Sequence, residues 1–266
     1  MKFPTYSIII PAYNESKRIP ATLEQILLYT TAKSWNAEII VVNDGSTDDT
    51  AGVVRRMAAK HPSIVLVDNL VNSGKGHSIR DGVRYASGDI ILFTDADNST
   101  PIEDSEKLLK AIQEGADIAI GSRWVDRKLQ VLPQPWHRRL NGRLYNLLLR
   151  SILGLDFKDT QNGFKAFTRT AAKAIFMQQR ISGWGFDAET LYLAHSYRFT
   201  VREVPVEYTY CAEGSKIRPY RDGARMFAEL LTVKWNGLSG AYKPSQSAPA
   251  AFREMPVASL QERSSQ

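Results

Sequence analysis

Asp95 and Asp97, one residue apart in DIILFTDADNST (residues 89–100), are the side chains whose spacing first suggests chemistry. They follow an apolar run, Ile90 to Phe93, of the kind that makes a buried strand. Two carboxylates at a strand exit repel each other and are partly desolvated, so a cation or several donors must compensate them. Two readings fit the pair alone: turn or N-cap carboxylates ahead of Pro101, or a ligand site. Three more polar clusters bear on the choice. Pro11-Ala12-Tyr13-Asn14-Glu15, Asn43-Asp44-Gly45-Ser46 and Asn72-Ser73-Gly74-Lys75-Gly76 each come after another apolar run. Turn chemistry explains any one of them. Four at the same end of successive strands mark the edge where open α/β sheets bind ligands.

The elements that must hold these clusters are strands expected at 6–10, 38–42, 63–67, 90–93 and 117–120, with helix-like segments between them. The first such segment runs from about 18 to 31. Ser46 or Thr47 is placed to cap a helix beginning near Asp48. Strand–helix alternation with β-branched strands predicts an α/β fold, a mostly parallel central sheet with helices on both faces. Beyond Arg123 the alternation fades. Helical patterns return at 140–153, 188–195 and 226–238, and 201–210 is strand-like. Residues 1–242 are expected to form one folded α/β domain. Residues 243–266 carry Pro, Ser and Gln without core periodicity and are expected to be a disordered tail.

Composition narrows the classes. The chain has 266 residues, 43% hydrophobic and 23% charged, and the excess of Lys and Arg gives a net charge of +6. That balance suits an anionic partner without choosing one. A single cysteine, Cys211, excludes an internal disulfide framework and a CxxC metal site, and the four histidines are too dispersed for H-E-x-x-H. MKFPTY leads straight into a strand, with no signal-peptide pattern, and no apolar run approaches the roughly 18 residues a membrane span needs. A dinucleotide fold requires G-x-G-x-x-G where the chain has PAYNES. A P-loop fails too, with Asn69 in place of its first glycine and Gly76 after Lys75.

SIIIPAYNES, IIVVNDGSTDDT, NSGKGHSIRDGVRYASGDIILFTDAD, GSR, DTQNGFKAF and EGSK, in that order over about residues 5–235, resemble the family 2 glycosyltransferases. More narrowly they are similar to the group that glucosylates or mannosylates dolichyl and other polyprenyl phosphates. The resemblance implies a GT-A fold, a nucleotide-sugar donor, a divalent metal, Mg²⁺ or Mn²⁺, and inverting transfer. Carried over by position, Pro11, Ala12, Tyr13, Asn14 and Glu15 line the nucleoside pocket. Asp44 bonds the base or ribose, and Lys75 between two glycines meets the pyrophosphate. Asp95 lies near the ribose or sugar, with Ala96 small enough to leave room, and Asp97 ligates the metal. In members with the mannosyl pattern a Gln stands two positions after the metal aspartate. Here it is Ser99, a poorer ligand, which weakens the mannosyl assignment. DTQNGFKAF, GFDAE and EGSK resemble the glucosyl branch more and so imply glucose from UDP-glucose ahead of mannose from GDP-mannose.

On the acceptor side the resemblance implies that Arg123, Ser215 and Lys216 bind a phosphate, with weaker support for Arg202 and Arg218. A phosphate is already a nucleophilic anion, so a strong base is less needed than for a hydroxyl. Asp187 in WGFDAETLY matches the motif that carries the base in hydroxyl-directed members; it is a base, or it orients Lys216 or a ribose. A soluble hydroxyl acceptor is thus the other reading. Glu189 is expected in an ion pair with the DTQNGFKAF segment, where Asp159, Gln161 and Lys165 cluster. Residues 136–155 join Trp136 and Arg138, Arg139, Arg143 and Arg150 to an apolar helical stripe of Leu140, Leu144, Leu147, Leu148 and Ile152. That pattern suits a core-facing helix or a membrane-surface helix, and the resemblance favours the latter. The expected setting is peripheral, on the cytoplasmic face of a membrane, with no transmembrane helix and no nucleic-acid partner.

Overall fold

The computed structural model describes residues 5–132, 135–210 and 219–242; Ser215, Lys216, Arg218 and 243–266 lie outside them. The first half alternates as its sequence predicts: β1 (Thr5–Ala12), α1 (Ile19–Ala32), β2 (Asn36–Asp44), α2 (Thr50–Ala58), β3 (Ile64–Asn69), α3 (Lys75–Tyr85), β4 (Ile90–Phe93), α4 (Ser105–Gln113) and β5 (Ile118–Ser122). The second half adds β6 (Gln130–Leu132), α5 (Trp136–Leu153), β7 (Lys165–Thr168), α6 (Arg169–Phe176), α7 (Phe186–Ser196), β8 (Val201–Pro205), β9 (Tyr208–Thr209) and α8 (Pro219–Leu238).

Seven strands form one sheet in the order β3-β2-β1-β4-β7-β5-β8. All neighbours are parallel except β7, which runs antiparallel between β4 and β5. β6 and β9 make a separate two-stranded parallel ribbon. The strands alternate their apolar residues between two cores. Ile9, Ile40, Val42, Ile91 and Phe93 enter the core under α3, α5, α6, α7 and α8. Ile8, Ile10, Ile39, Val41, Ile90 and Leu92 enter the core on the other face, with Leu23 and Ile26 of α1 and Leu108 of α4. Burial on both faces explains why these strands read as continuous apolar runs; each such side chain contributes about 1.5–3 kcal/mol.

Strand order reverses between β1 and β4, the switch point where a crevice opens beyond the carboxyl ends of the strands. The loops after β1, β2 and β4 all leave at that edge. Because β7 is antiparallel, its amino end and the preceding residues 159–164 arrive there too.

Two expectations change. Neither Ser46 nor Thr47 caps a helix: α2 starts at Thr50, whose N–H is held by the Asp48 carboxylate at 3.0 Å, while the Ser46 hydroxyl is engaged by the neighbouring loop. The single strand expected at 201–210 is two, interrupted at Val206 and Glu207, the second joining β6 instead of the main sheet.

α5 presents two faces. Tyr145, Leu149 and Leu153 are buried, Leu148 and Ile152 pack against the core, and Leu140, Leu144 and Leu147 are exposed. α8 packs on it in the same way, with Met226, Leu230 and Val233 inward and Phe227, Leu231, Trp235 and Leu238 outward. The side chains of Trp136, Arg138 and Arg139 lie outside the described ones. Among the described residues no helix is long and apolar enough to cross a membrane.

Candidate active site

The four strand-end clusters are tied into one network. Asn14 adopts a left-handed backbone (φ 52°), a conformation its short amide side chain tolerates. Its N–H donates to Ser46 Oγ at 2.8 Å, and its Oδ1 accepts the Thr47 N–H at 2.8 Å. The Glu15 N–H donates to Thr50 Oγ1 at 2.8 Å, and its carboxylate takes both arms of the Arg18 guanidinium at 2.7 Å. Asp44, buried at the end of β2, accepts the Ser73 and Gly74 N–H groups at 2.9 Å, one on each oxygen. Lys75, the first residue of α3, donates to Asp95 Oδ1 at 2.5 Å. Loop one therefore holds loop two, loop two holds loop three, and loop three reaches loop four. Thr22 of α1 closes the frame by donating to the Ala96 carbonyl at 2.8 Å.

The charges at this edge are unequal. Burial alone would lower the Lys75 ammonium, but Asp95 and, further off, Asp187 and Asp97 outweigh it and raise its pKa. Burial alone would raise Asp95, yet the Lys75 charge holds its carboxyl below the ordinary range. Asp97 differs: burial and then the charge of Asp95 push it up, against donation from the Ser99 N–H at 3.1 Å and the Arg18 guanidinium at 4.0 Å. The Asp97 carboxylate is thus the one at the pair that a hard cation would relieve. Among the described residues no three His, Cys, Asp or Glu side chains group into a metal cage. A cation at Asp97 would have to complete its coordination with oxygens of a ligand, which suits a metal bound together with phosphates.

Behind the pair lies a second layer. Lys165, at the start of β7, donates to Asp187 Oδ1 and to the Asn162 carbonyl, both at 2.5 Å, with the lysine side chain 1% exposed and the aspartate 7%. Gly163, next to Asn162, lies against Asp95: a Cβ there would stand 2.2 Å from Asp95 Oδ2. Beyond β5, Arg123 grips Asp159 with Nε and Nη2, both at 2.7 Å, and stacks over the Tyr208 ring at 5.2 Å. Burial alone would raise Asp159, but the Arg123 charge and hydrogen bonds overcome it and hold the carboxyl low.

Pro11, Ala12, Tyr13, Asn14, Glu15, Asp44, Lys75, Asp95, Ala96 and Asp97 all fall at the switch-point edge, and Arg123 and Asp187 adjoin it. Several details differ from expectation. Glu189 makes no ion pair with the 159–167 segment; it is buried, accepting the Arg180 and Ile181 N–H groups at 2.9 and 2.8 Å and the Tyr242 hydroxyl at 2.7 Å. The ion pair to that segment belongs to Asp187. Arg202 pairs with Glu114 at 2.7 Å, before β5 and so at the opposite edge, because the parallel register of β8 puts its start there. The glycines beside Lys75 admit protein: a Cβ at Gly74 would stand 2.5 Å from the Ser182 carbonyl, and one at Gly76 2.6 Å from that of Ile181. Residues 179–183 carry no pattern that marks them in the sequence, and nothing in WGFDAETLY shows that the Trp184 ring lies 5.6 Å from Lys75.

A parallel sheet interrupted by one antiparallel strand, with its polar loops gathered at the switch point, defines a GT-A class glycosyltransferase fold. A structure of glucosyl-3-phosphoglycerate synthase from Mycobacterium tuberculosis, in complex with Mn²⁺, UDP and glucosyl-3-phosphoglycerate, shares it: TM-score 0.61, 21% identity, over 92% of this chain and 82% of that one. The chain belongs to glycosyl transferase family 2, whose family model matches residues 7–176. It is 38% identical to dolichyl-phosphate beta-glucosyltransferase ALG5A of Trichomonas vaginalis, over 89% of this chain and 75% of that protein. It is 33% identical to dolichyl-phosphate beta-glucosyltransferase of Homo sapiens, over 91% of this chain and 78% of that protein.

Proposed function

We propose that this protein is an inverting hexosyltransferase that moves glucose from UDP-glucose onto dolichyl or another polyprenyl phosphate, working peripherally at a membrane surface. The observation that carries the reading is its identity with relatives named for that activity, which extends over about nine-tenths of the chain.

Asp97 would hold the divalent cation, Mg²⁺ or Mn²⁺, which when bound supplies positive charge to the departing nucleoside diphosphate. Lys75 adds a second cation toward the same phosphates, held in register by Asp95. Asp95, anionic through Lys75, is the acceptor for donor hydroxyls, and Ala96 leaves space beside it. Asp44 fixes the loop that carries Lys75, and keeps lone pairs for the base or ribose. Pro11 to Glu15 form the nucleoside wall.

The acceptor phosphate arrives as an anion and needs cations more than a base. Lys216 and Ser215 are assigned to it by position. Arg123 contributes what its pairing with Asp159 leaves available. Asp187, engaged by Lys165, orients this layer instead of taking a proton. The outward leucines of α5, joined by Phe227, Leu231, Trp235 and Leu238 of α8, suit the polyprenyl chain and the lipid surface that carries it.

The test is transfer by the purified protein, with Mn²⁺ or Mg²⁺, from a panel of nucleotide sugars to a polyprenyl phosphate in detergent. Transfer from UDP-glucose is expected. Transfer from GDP-mannose instead would replace the donor, and glycosylation of a soluble acceptor without any lipid product would sink the lipid reading.

A further inference from the structure

Residues 179–185 cross the start of α3 and are anchored at both ends by carboxylates. At one end Glu189 holds the Arg180 and Ile181 N–H groups. At the other, Glu229 of α8 accepts the Gly185 N–H at 2.8 Å, and Cβ atoms at Gly183 and Gly185 would stand 2.4 and 2.6 Å from its oxygens. Gln179 Nε2 donates to the Gly76 carbonyl at 2.9 Å. In the middle, the Ser182 carbonyl accepts the Gly76 and His77 N–H groups at 2.9 and 3.3 Å.

This arrangement changes what the start of α3 can offer an anion. The N–H groups of Ser73 and Gly74 are taken by Asp44, and those of Gly76 and His77 by Ser182. From Ser73 to His77 this leaves Lys75 to offer a diphosphate its own N–H and its ammonium, the latter a flexible point charge that gains from being fixed. Asp95 holds that ammonium on one side, and the Trp184 ring faces it at 5.6 Å.

We propose that residues 179–185 are a positioning strap for the donor's diphosphate, in which Trp184 fixes Lys75 beside Asp95 and Glu229 fixes Trp184. The strap links the donor pocket to α8, so the helix whose outer face is apolar also sets the placement of the cation that meets the phosphates. Trp184 and Glu229 are positioning residues. The inference rests on the nucleotide-sugar reading of this site.

The experiment is calorimetric titration of UDP and of uridine, each with Mn²⁺, into the wild-type protein and its variants. Uridine lacks the diphosphate, so it separates a Lys75 effect from general loosening. Trp184→Ala is expected to weaken UDP binding by about 5- to 30-fold, the range of a partly desolvated cation–π contact, with uridine binding unchanged. Glu229→Ala is expected to reproduce most of that loss, and the double variant to lose little more than Trp184→Ala alone. Glu229→Gln, which keeps an acceptor for Gly185, is expected to restore UDP binding. Equal losses of UDP and uridine would overturn the proposal in favour of a purely structural strap. So would a Glu229→Ala variant that binds UDP as the wild type does, and this arm decides the matter if Trp184→Ala does not fold. A wild-type protein that binds no UDP would remove the donor reading and this inference with it.

Discussion

Replacing Lys165 with methionine keeps most of the side-chain volume and removes one ammonium from a site that is 1% exposed. The loss takes a partner from Asp187 and from the Asn162 carbonyl together. Removing one member of a buried pair costs about 3–5 kcal/mol, because the remaining charge is left desolvated. An exposed pair such as Lys33–Glu106 contributes only about 0–1 kcal/mol. The cost should also depend on pH. Burial already holds the Asp187 carboxyl above its ordinary value, against the charges of Lys165 and Lys75. Without Lys165 it rises further. A carboxyl whose pKa is higher folded than unfolded binds more protons in the folded state, so stability falls as pH climbs from about 4 toward the raised value. The limiting slope is about 1.4 kcal/mol per pH unit. Urea unfolding at pH 5 and pH 8 should therefore show a Lys165→Met penalty at least about 1 kcal/mol larger at the higher pH. Adding Asp187→Asn should recover much of it. A penalty below about 1 kcal/mol at both pH values would refute the buried-pair reasoning.

Asp97→Asn should lower transfer by about 100-fold or more by removing the proposed metal ligand, while thermal stability holds or rises, since burial and Asp95 both disfavour that charge. Transfer rates and a melting curve on the same preparation check both halves. Gly163→Ala should cost about 1–3 kcal/mol by overpacking and should weaken donor binding, because the added methyl displaces the Asp95 carboxylate from Lys75. Arg123 holds Asp159 below the ordinary carboxylate pKa of about 4, so this pair stabilises the fold above that pH and its contribution is lost as pH falls through the lower folded value. Asp159→Asn should flatten the acid limb of stability, read from unfolding midpoints between pH 5 and 2.

The strand-end clusters were legible because most of them stand at the ends of strands buried on both faces. Such strands announce themselves as apolar runs, and whatever polar cluster follows is placed by the sheet. β7 hid itself: Lys-Ala-Phe-Thr is four residues opened by a charge, and nothing local says that Asp187 neutralises it. Nothing near Arg123 in the sequence announced its partner Asp159, which is distant along the chain and brought close by the antiparallel strand. Glu189 read as an ion-pair partner, whereas it binds backbone N–H groups that carry no sequence mark. Local pattern reports burial and turns; it does not report which charges meet.

The reversed strand also governs the order in which the molecule can assemble. β4 and β5 are never neighbours, and the gap between them is filled by residues 165–168. A chain growing from its N-terminus can pair β1 with β2 and β4, and β2 with β3, early, yet β4 then presents an open edge until β7 has been made. Such an edge is a template for pairing with another chain. β5 in turn waits for β7 on one side and β8 on the other. Truncations ending between β5 and β7 should therefore collect as aggregates, and those extending past β8 should be the first to recover a soluble sheet.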